Sequence, residues 1–144
     1  MGEIMNNYKI DGKIVKGFGF ATDTIEKQKL FFKDLPNLGK LYSGTINIDI
    51  FPFFIKPVIF DYFYKDICWG KDFSESFGLC KIKIFYEGKD YDGYIYFAHE
   101  SRHFKGRYFF NYLEILSEKL PLKSENKFIT IEINKENIDV YSKL

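Results

Sequence analysis

The stretch from Phe77 to Ala98 constrains the fold more than any other. Residues 77–86 read as a strand, Glu87-Gly88-Lys89-Asp90 as a turn, and residues 91–98 as the returning strand. A short glycine-containing turn between two such runs is a hairpin signal, because glycine supplies the positive φ that tight turns need. The rest of the chain has the composition to extend it: 20% of residues are aromatic, with 17 Phe and 11 Tyr, and Ile is frequent. Such residues favour strands over helices.

Residues 8–15 form a first expected strand, apolar at Tyr8, Ile10 and Ile14, with a kink or bulge at Asp11-Gly12. A glycine-spaced turn, Gly17-Phe18-Gly19-Phe20-Ala21-Thr22, follows. Residues 24–35 are the best helix: Thr24 caps it, Leu30, Phe31 and Leu35 give it an apolar stripe, and Pro36 ends it. Ser43-Gly44 then turns into a strand with Ile46, Ile48 and Ile50 on one face and Thr45, Asn47 and Asp49 on the other.

The aromatic segment 51–64 lacks a clear period, and Pro52 and Pro57 argue against a central strand there. A short strand is expected at 66–69, a loop at 71–76, an exposed polar and basic loop at 100–108, and a strand at 112–116. A helical turn at 117–120 and a last strand at 127–133 complete the pattern, with a polar tail from Asn134 expected to fray. Six or seven strands, one main helix and no βαβ rhythm predict a mainly β fold. A small closed barrel is the economical form, because closure removes exposed edges. The 144 residues suit a single domain spanning the chain.

Several function classes are disfavoured. The net charge of +1 leaves no broad basic footprint for nucleic acid or an anionic membrane, and the aromatic residues lack the basic stripe of single-strand binders. No apolar run approaches the length that spans a bilayer, and residues 1–16 have no sustained apolar core of a signal peptide. Cys68 and Cys80 do not form a multi-ligand metal site, and no CxxC or HExxH spacing occurs. The expectation is a soluble, cytoplasmic protein with two free thiols.

Three stretches and one lone carboxylate carry candidate chemistry. Thr45, Asn47 and Asp49 present three oxygen-bearing side chains along one strand face, which suits Mg²⁺ or the phosphates that travel with it, or else a plain solvated face. The turn Gly17 to Thr22 lets backbone N–H groups approach a phosphate, or else is a plain structural turn; it is neither a Rossmann fingerprint nor a Walker loop. His99 and His103 lie in a polar stretch with Arg102, Lys105 and Arg107: a solvated basic loop, a phosphate contact, or a metal pair if the two histidines had helical i, i+4 geometry where a strand end is expected. Glu114, between Leu113 and Ile115, either faces solvent or sits in a pocket as a general base.

Taken together these pieces resemble the archaeal CTP-dependent riboflavin kinase family, whose members form a six-stranded cradle-loop barrel. Gly12-Lys13-Ile14-Val15-Lys16-Gly17-Phe18-Gly19-Phe20-Ala21 is similar to the family's nucleotide-contacting GxVxxGxGxG segment. Tyr42-Ser43-Gly44-Thr45-Ile46-Asn47 resembles its YxGTLN motif, and Phe77-Gly78 with Asp92-Gly93 resembles its FG…DG pattern. The resemblance implies that Thr45 and Asn47 hold Mg²⁺ and that Gly17, Phe18, Gly19, Phe20, Ala21 and Thr22 meet CTP or another nucleotide. It also implies that Ser101, His103 and Glu114 meet a flavin-like acceptor, with riboflavin converted to FMN. The segment 116–126 is shorter than the family's and lacks its Ala-Pro pair. Two rival expectations stand beside this one: a barrel that binds a nucleotide, flavin or sugar without catalysis, and a related barrel enzyme with another substrate, its pocket lined by aromatics of residues 51–69.

Overall fold

The computed structural model describes residues 7–15, 46–70, 73–99, 111–118 and 120–142, with side chains throughout except at 65–70, 73–75 and 98–99. Nine strands occupy these residues: β1 (Asn7–Val15), β2 (Ile46–Asp49), β3 (Phe54–Pro57), β4 (Tyr62–Gly70), β5 (Phe73–Tyr86), β6 (Lys89–His99), β7 (Tyr112–Ser117), β8 (Phe128–Asn134) and β9 (Ile138–Tyr141). The expected main helix at 24–35 lies outside them.

Six strands close on themselves in the order β5-β6-β7-β2-β1-β8, with β8 pairing back onto β5. Every pairing is antiparallel, so the fold is the closed six-stranded barrel expected from the sequence. The 14-residue β5 belongs to two pairings beyond its hairpin. Its second half, from Ile82 to Phe85, pairs with β8 and seals the barrel, while its first half pairs with β4 outside the ring. The β5–β6 hairpin turns at Glu87-Gly88, with φ of 52° and 76°. Two consecutive positive φ angles match the right-handed twist of the flanking strands, and Gly88 takes one of them without steric cost.

Alternation decides what lies inside. Ile10, Ile48, Ile82, Ile84, Ile95 and Ile115 point inward with at most 6% exposure, and Ile129, Ile131 and Ile133 of β8 join them. A barrel of six strands is narrower than the eight-stranded kind whose interior side chains already fill, so this interior is a packed core with no room for a ligand. Among the described residues, a binding site would therefore use the outer surface or an end of the barrel.

Two aromatic side chains mark the extremes of the barrel portion of β5. Near its start, Phe60 lies over Gly78, stacks on Phe63 (5.5 Å between centroids) and meets Phe97 at 5.9 Å. At its end, the buried Tyr86 donates its hydroxyl to the Asn126 carbonyl (2.9 Å) and accepts the Lys123 N–H (2.8 Å). Those two bonds bracket the turn at Ser124-Glu125 and satisfy a phenol that is otherwise removed from water.

The nine strands exceed the six or seven expected, Asp11 and Gly12 pair in unbroken register with Thr130 and Ile129 without the expected bulge, and four further segments depart from the sequence reading. Part of the loop expected at 71–76 is the beginning of β5, where Ser74 and Glu75 pair with β4 through bulges. The short strand expected at 66–69 is the nine-residue β4. Ser117 ends β7, and no helical turn follows among the described residues of 117–120. The tail expected to fray instead turns at 135–137 and returns as β9, which pairs with β3 and buries Ile138 completely. The segment containing Pro57 is confined to this two-stranded ribbon, as proline's missing N–H requires.

The outer surface has two characters. Across β1, β8, β5 and β6, the register partners Lys9, Glu132, Lys83 and Asp92 alternate in sign. Lys83 Nζ meets Asp92 at 2.9 Å and Asp90 at 3.9 Å. Cross-strand charge pairs of this kind favour one register over its neighbours. On the first half of β5 and on β6 and β7, outward residues are instead buried: Phe77, Leu79, Tyr94, Tyr96 and Leu116 are at most 7% exposed.

Candidate functional site

The boundary between those two characters runs through Glu114. On β7 the inward residues are Leu113 and Ile115, so Glu114 faces outward. On β2, Ile46 and Ile48 belong to the core side, so Asn47 faces outward as well. The β2–β7 register makes Asn47 and Glu114 direct partners. Directly opposed residues of an antiparallel pair hold their Cβ atoms roughly 4.5–5.5 Å apart, so an amide and a carboxylate share one patch of surface. Both are half-buried.

The same row continues on each side. Asn47 pairs with Val15 of β1, Glu114 pairs with Tyr96 of β6, Tyr96 with Leu79 of β5, and Leu79 with Tyr62 of β4. Polar groups thus occupy the middle of a row whose far end is apolar. Tyr96 is 7% exposed and its ring lies 5.4 Å from that of Phe77, which stacks on Tyr64 at 5.1 Å. Amide oxygen and carboxylate are hard donors of the kind Mg²⁺ takes, with water or phosphate oxygens completing the shell. Asn47 offers one such oxygen among the described residues. Among the described residues, no group of three or more His, Cys, Asp or Glu side chains gathers as a metal cluster.

The other expected site residues divide cleanly. Gly17, Phe18, Gly19, Phe20, Ala21, Thr22, Thr45, Ser101 and His103 lie outside the described residues, as do Arg102, Lys105 and Arg107. His99 is the last residue of β6, its backbone paired opposite Ser76. Asp49 serves the fold. Its Oδ1 accepts from the Phe51 N–H (2.9 Å) and from Asn111 Nδ2 (3.1 Å), tying the end of β2 to the approach to β7. Tyr96 is the member of the row that the sequence reading missed. Its outward position follows from the alternation of β6, but its place beside Glu114 depends on the β6–β7 register, across an intervening segment that carries no local signal for it.

Cys80 is no nucleophile. It is fully buried, its Sγ donates weakly to the Ile59 carbonyl (3.6 Å), and burial followed by the nearby Asp61 carboxylate pushes its thiol from 9.0 up to about 12. Because the folded value is the higher one, the folded chain holds this proton more tightly than the unfolded chain. The resulting stability is complete below pH 9.0 and falls as pH rises towards about 12. Urea titrations between about pH 8 and 10.5 should show a loss of about 1.4 kcal/mol per pH unit above about 9 that Cys80→Ala removes. An unchanged slope in that variant would assign the loss to other groups.

The sequence matches no protein-family model and no curated protein. Among the described residues no helix is long and apolar enough to cross a membrane.

Proposed function

We propose that this chain is a phosphotransferase of the riboflavin-kinase type, moving a phosphoryl group from CTP or another nucleotide to a hydroxyl of a flavin-like small molecule. The observation that carries this reading is the pairing of Asn47 with Glu114 on the outer face of the barrel. The resemblance gives these two residues complementary roles, on the metal side and on the acceptor side. Their adjacency supports one site in which both roles meet.

In this reading Glu114 orients the acceptor hydroxyl and takes its proton as the new O–P bond forms and the bond to the donor's leaving phosphate breaks. Asn47, with Thr45, holds Mg²⁺, which offsets the charge on the transferred group. The turn Gly17 to Thr22 cradles the nucleotide, while Ser101 and His103 meet the acceptor. Proximity and charge stabilisation supply most of the acceleration in phosphoryl transfer, so a small barrel face suffices.

One observation favours the non-catalytic reading. The short segment after β7 is drawn onto the barrel: Leu120 is 5% exposed, and Lys123 and Asn126 are held by Tyr86. The resembled family places a nucleotide contact in this region. Calorimetry with CTP, ATP and riboflavin in Mg²⁺, followed by a labelled-phosphate transfer assay, separates the readings. Transfer to riboflavin supports the kinase; tight binding without transfer supports the binding protein and overturns the kinase.

A further inference from the structure

The outer face of β1, β8 and β5 carries a concave surface apart from Asn47 and Glu114. Asp11, Thr130 and Phe85 are successive register partners across these strands, and Phe128 is the next outward residue along β8. With Asn126 and Glu87 they line an open groove of about 440 Å³. Volumes of roughly 300–1,000 Å³ are those of small-molecule sites. Phe128 is 64% exposed, and among the described residues its ring meets no other ring and no cation. The ring of Phe85 already has Lys9 Nζ over it at 4.8 Å, so Phe128 is the aromatic face left open.

The polar groups beside that face are incompletely used. Asp11 Oδ1 accepts from the Thr130 hydroxyl (2.6 Å), and its Oδ2 has no partner among the described residues. Asn126 Oδ1 accepts the Phe128 N–H (3.1 Å), which fixes the orientation of the amide and leaves its Nδ2 without an acceptor among the described residues. Glu87 meets Lys123 through Oε1 alone (3.3 Å). Charges around the groove offset one another, Lys9, Lys13 and Lys123 against Asp11, Glu87 and Asp90, so neither sign of ligand is favoured. A sugar answers each feature. Its hydroxyls donate and accept at once, which serves a carboxylate oxygen and an amide N–H alike. Its C–H face packs on the negative face of an aromatic ring, and it carries no charge.

We propose that this groove binds a neutral saccharide, one sugar ring lying on Phe128 and its hydroxyls shared between Asp11 and Asn126. The inference does not rest on the phosphotransferase reading: β8, the middle strand of the groove, lies opposite β7 in the six-stranded ring.

The test titrates ¹⁵N-labelled protein with the methyl glycosides of glucose, mannose and galactose, and with cellobiose and maltose. The resonances read are the Asn126 side-chain amide and the backbone amides of Gly88, Phe128 and Thr130. At least one sugar is expected to move them together and saturably. Phe128→Ala should weaken that sugar at least about tenfold, and Phe128→Tyr should hold its affinity within about threefold. Asp11→Asn keeps an acceptor for Thr130 but loses the charge, and should weaken binding about fivefold. Both residues are exposed, so these substitutions open no cavity, and thermal melts verify that each variant is folded. Tighter binding of a disaccharide supports the site as one for the end of a sugar chain; equal binding supports it as one for a single free sugar. Resonances unmoved by every sugar, or moved equally in Phe128→Ala, overturn the proposal. Stronger displacement of the same resonances by cytidine or riboflavin also overturns it, in favour of a site for flat aromatic ligands. A chain that transfers no phosphoryl group ends the phosphotransferase reading and leaves these titrations as they are.

Discussion

Replacing Asn47 with alanine is expected to lower phosphotransfer by about 10²- to 10³-fold while moving the melting temperature by no more than about 3 °C. The two halves of this expectation have separate origins. Asn47 faces away from the core that Ile46 and Ile48 enter, so its truncation opens no cavity. Substitution at a half-buried position outside the core alters stability by about 0.5 kcal/mol. In the proposed phosphotransfer, by contrast, activity would depend on an oxygen placed where charge develops, and removing one such group typically costs roughly two to three orders of magnitude. Glu114→Gln should behave similarly, because glutamine keeps the shape and loses the proton acceptor. Measured kcat/KM beside thermal melts of both variants decides the matter. Equal loss of activity and melting temperature would make Asn47 a structural residue and withdraw its metal role.

This site was only half legible from the chain itself. Each of Asn47 and Glu114 stands out locally, as a polar residue between inward apolar neighbours on a strand. That they are partners was not readable, because the pairing of β2 with β7 joins segments remote in sequence and is set by barrel closure. The same distinction applies to the fold. The hairpin of β5 and β6 was visible because its turn chemistry and both of its strands are contiguous. Closure followed from the number of strands and the need to hide their edges. In contrast, β9 was hidden: only Ile138 and Val140 alternate in a four-residue strand, and their partner β3 lies far upstream. Ser74 and Glu75 looked like loop residues because polar side chains break the apolar pattern, yet bulges in β4 accommodate them.

The paired glycines of the FG…DG pattern both have steric reasons that involve no ligand. A Cβ on Gly93 would meet Ile84 Cδ1 at 2.7 Å and the Leu116 carbonyl oxygen at 2.9 Å, which is where the core presses on the β6–β7 pair. On Gly78 it would overlap three ring atoms of Phe60. The absent side chain at 78 is the seat of that ring. Gly78→Ala is therefore expected to destabilise the fold by about 1–3 kcal/mol in urea unfolding, the range for overpacking a well-filled site. Phe60 cannot retreat cheaply, because moving it breaks its contacts with Phe63 and Phe97. A double-mutant cycle identifies the cause. In a Phe60→Ala background the seat is vacant, so Gly78→Ala should cost less than about 0.5 kcal/mol, and the two substitutions should be strongly non-additive. Additive costs would mean that alanine at 78 strains the β5 backbone itself and that Phe60 only happens to lie above it.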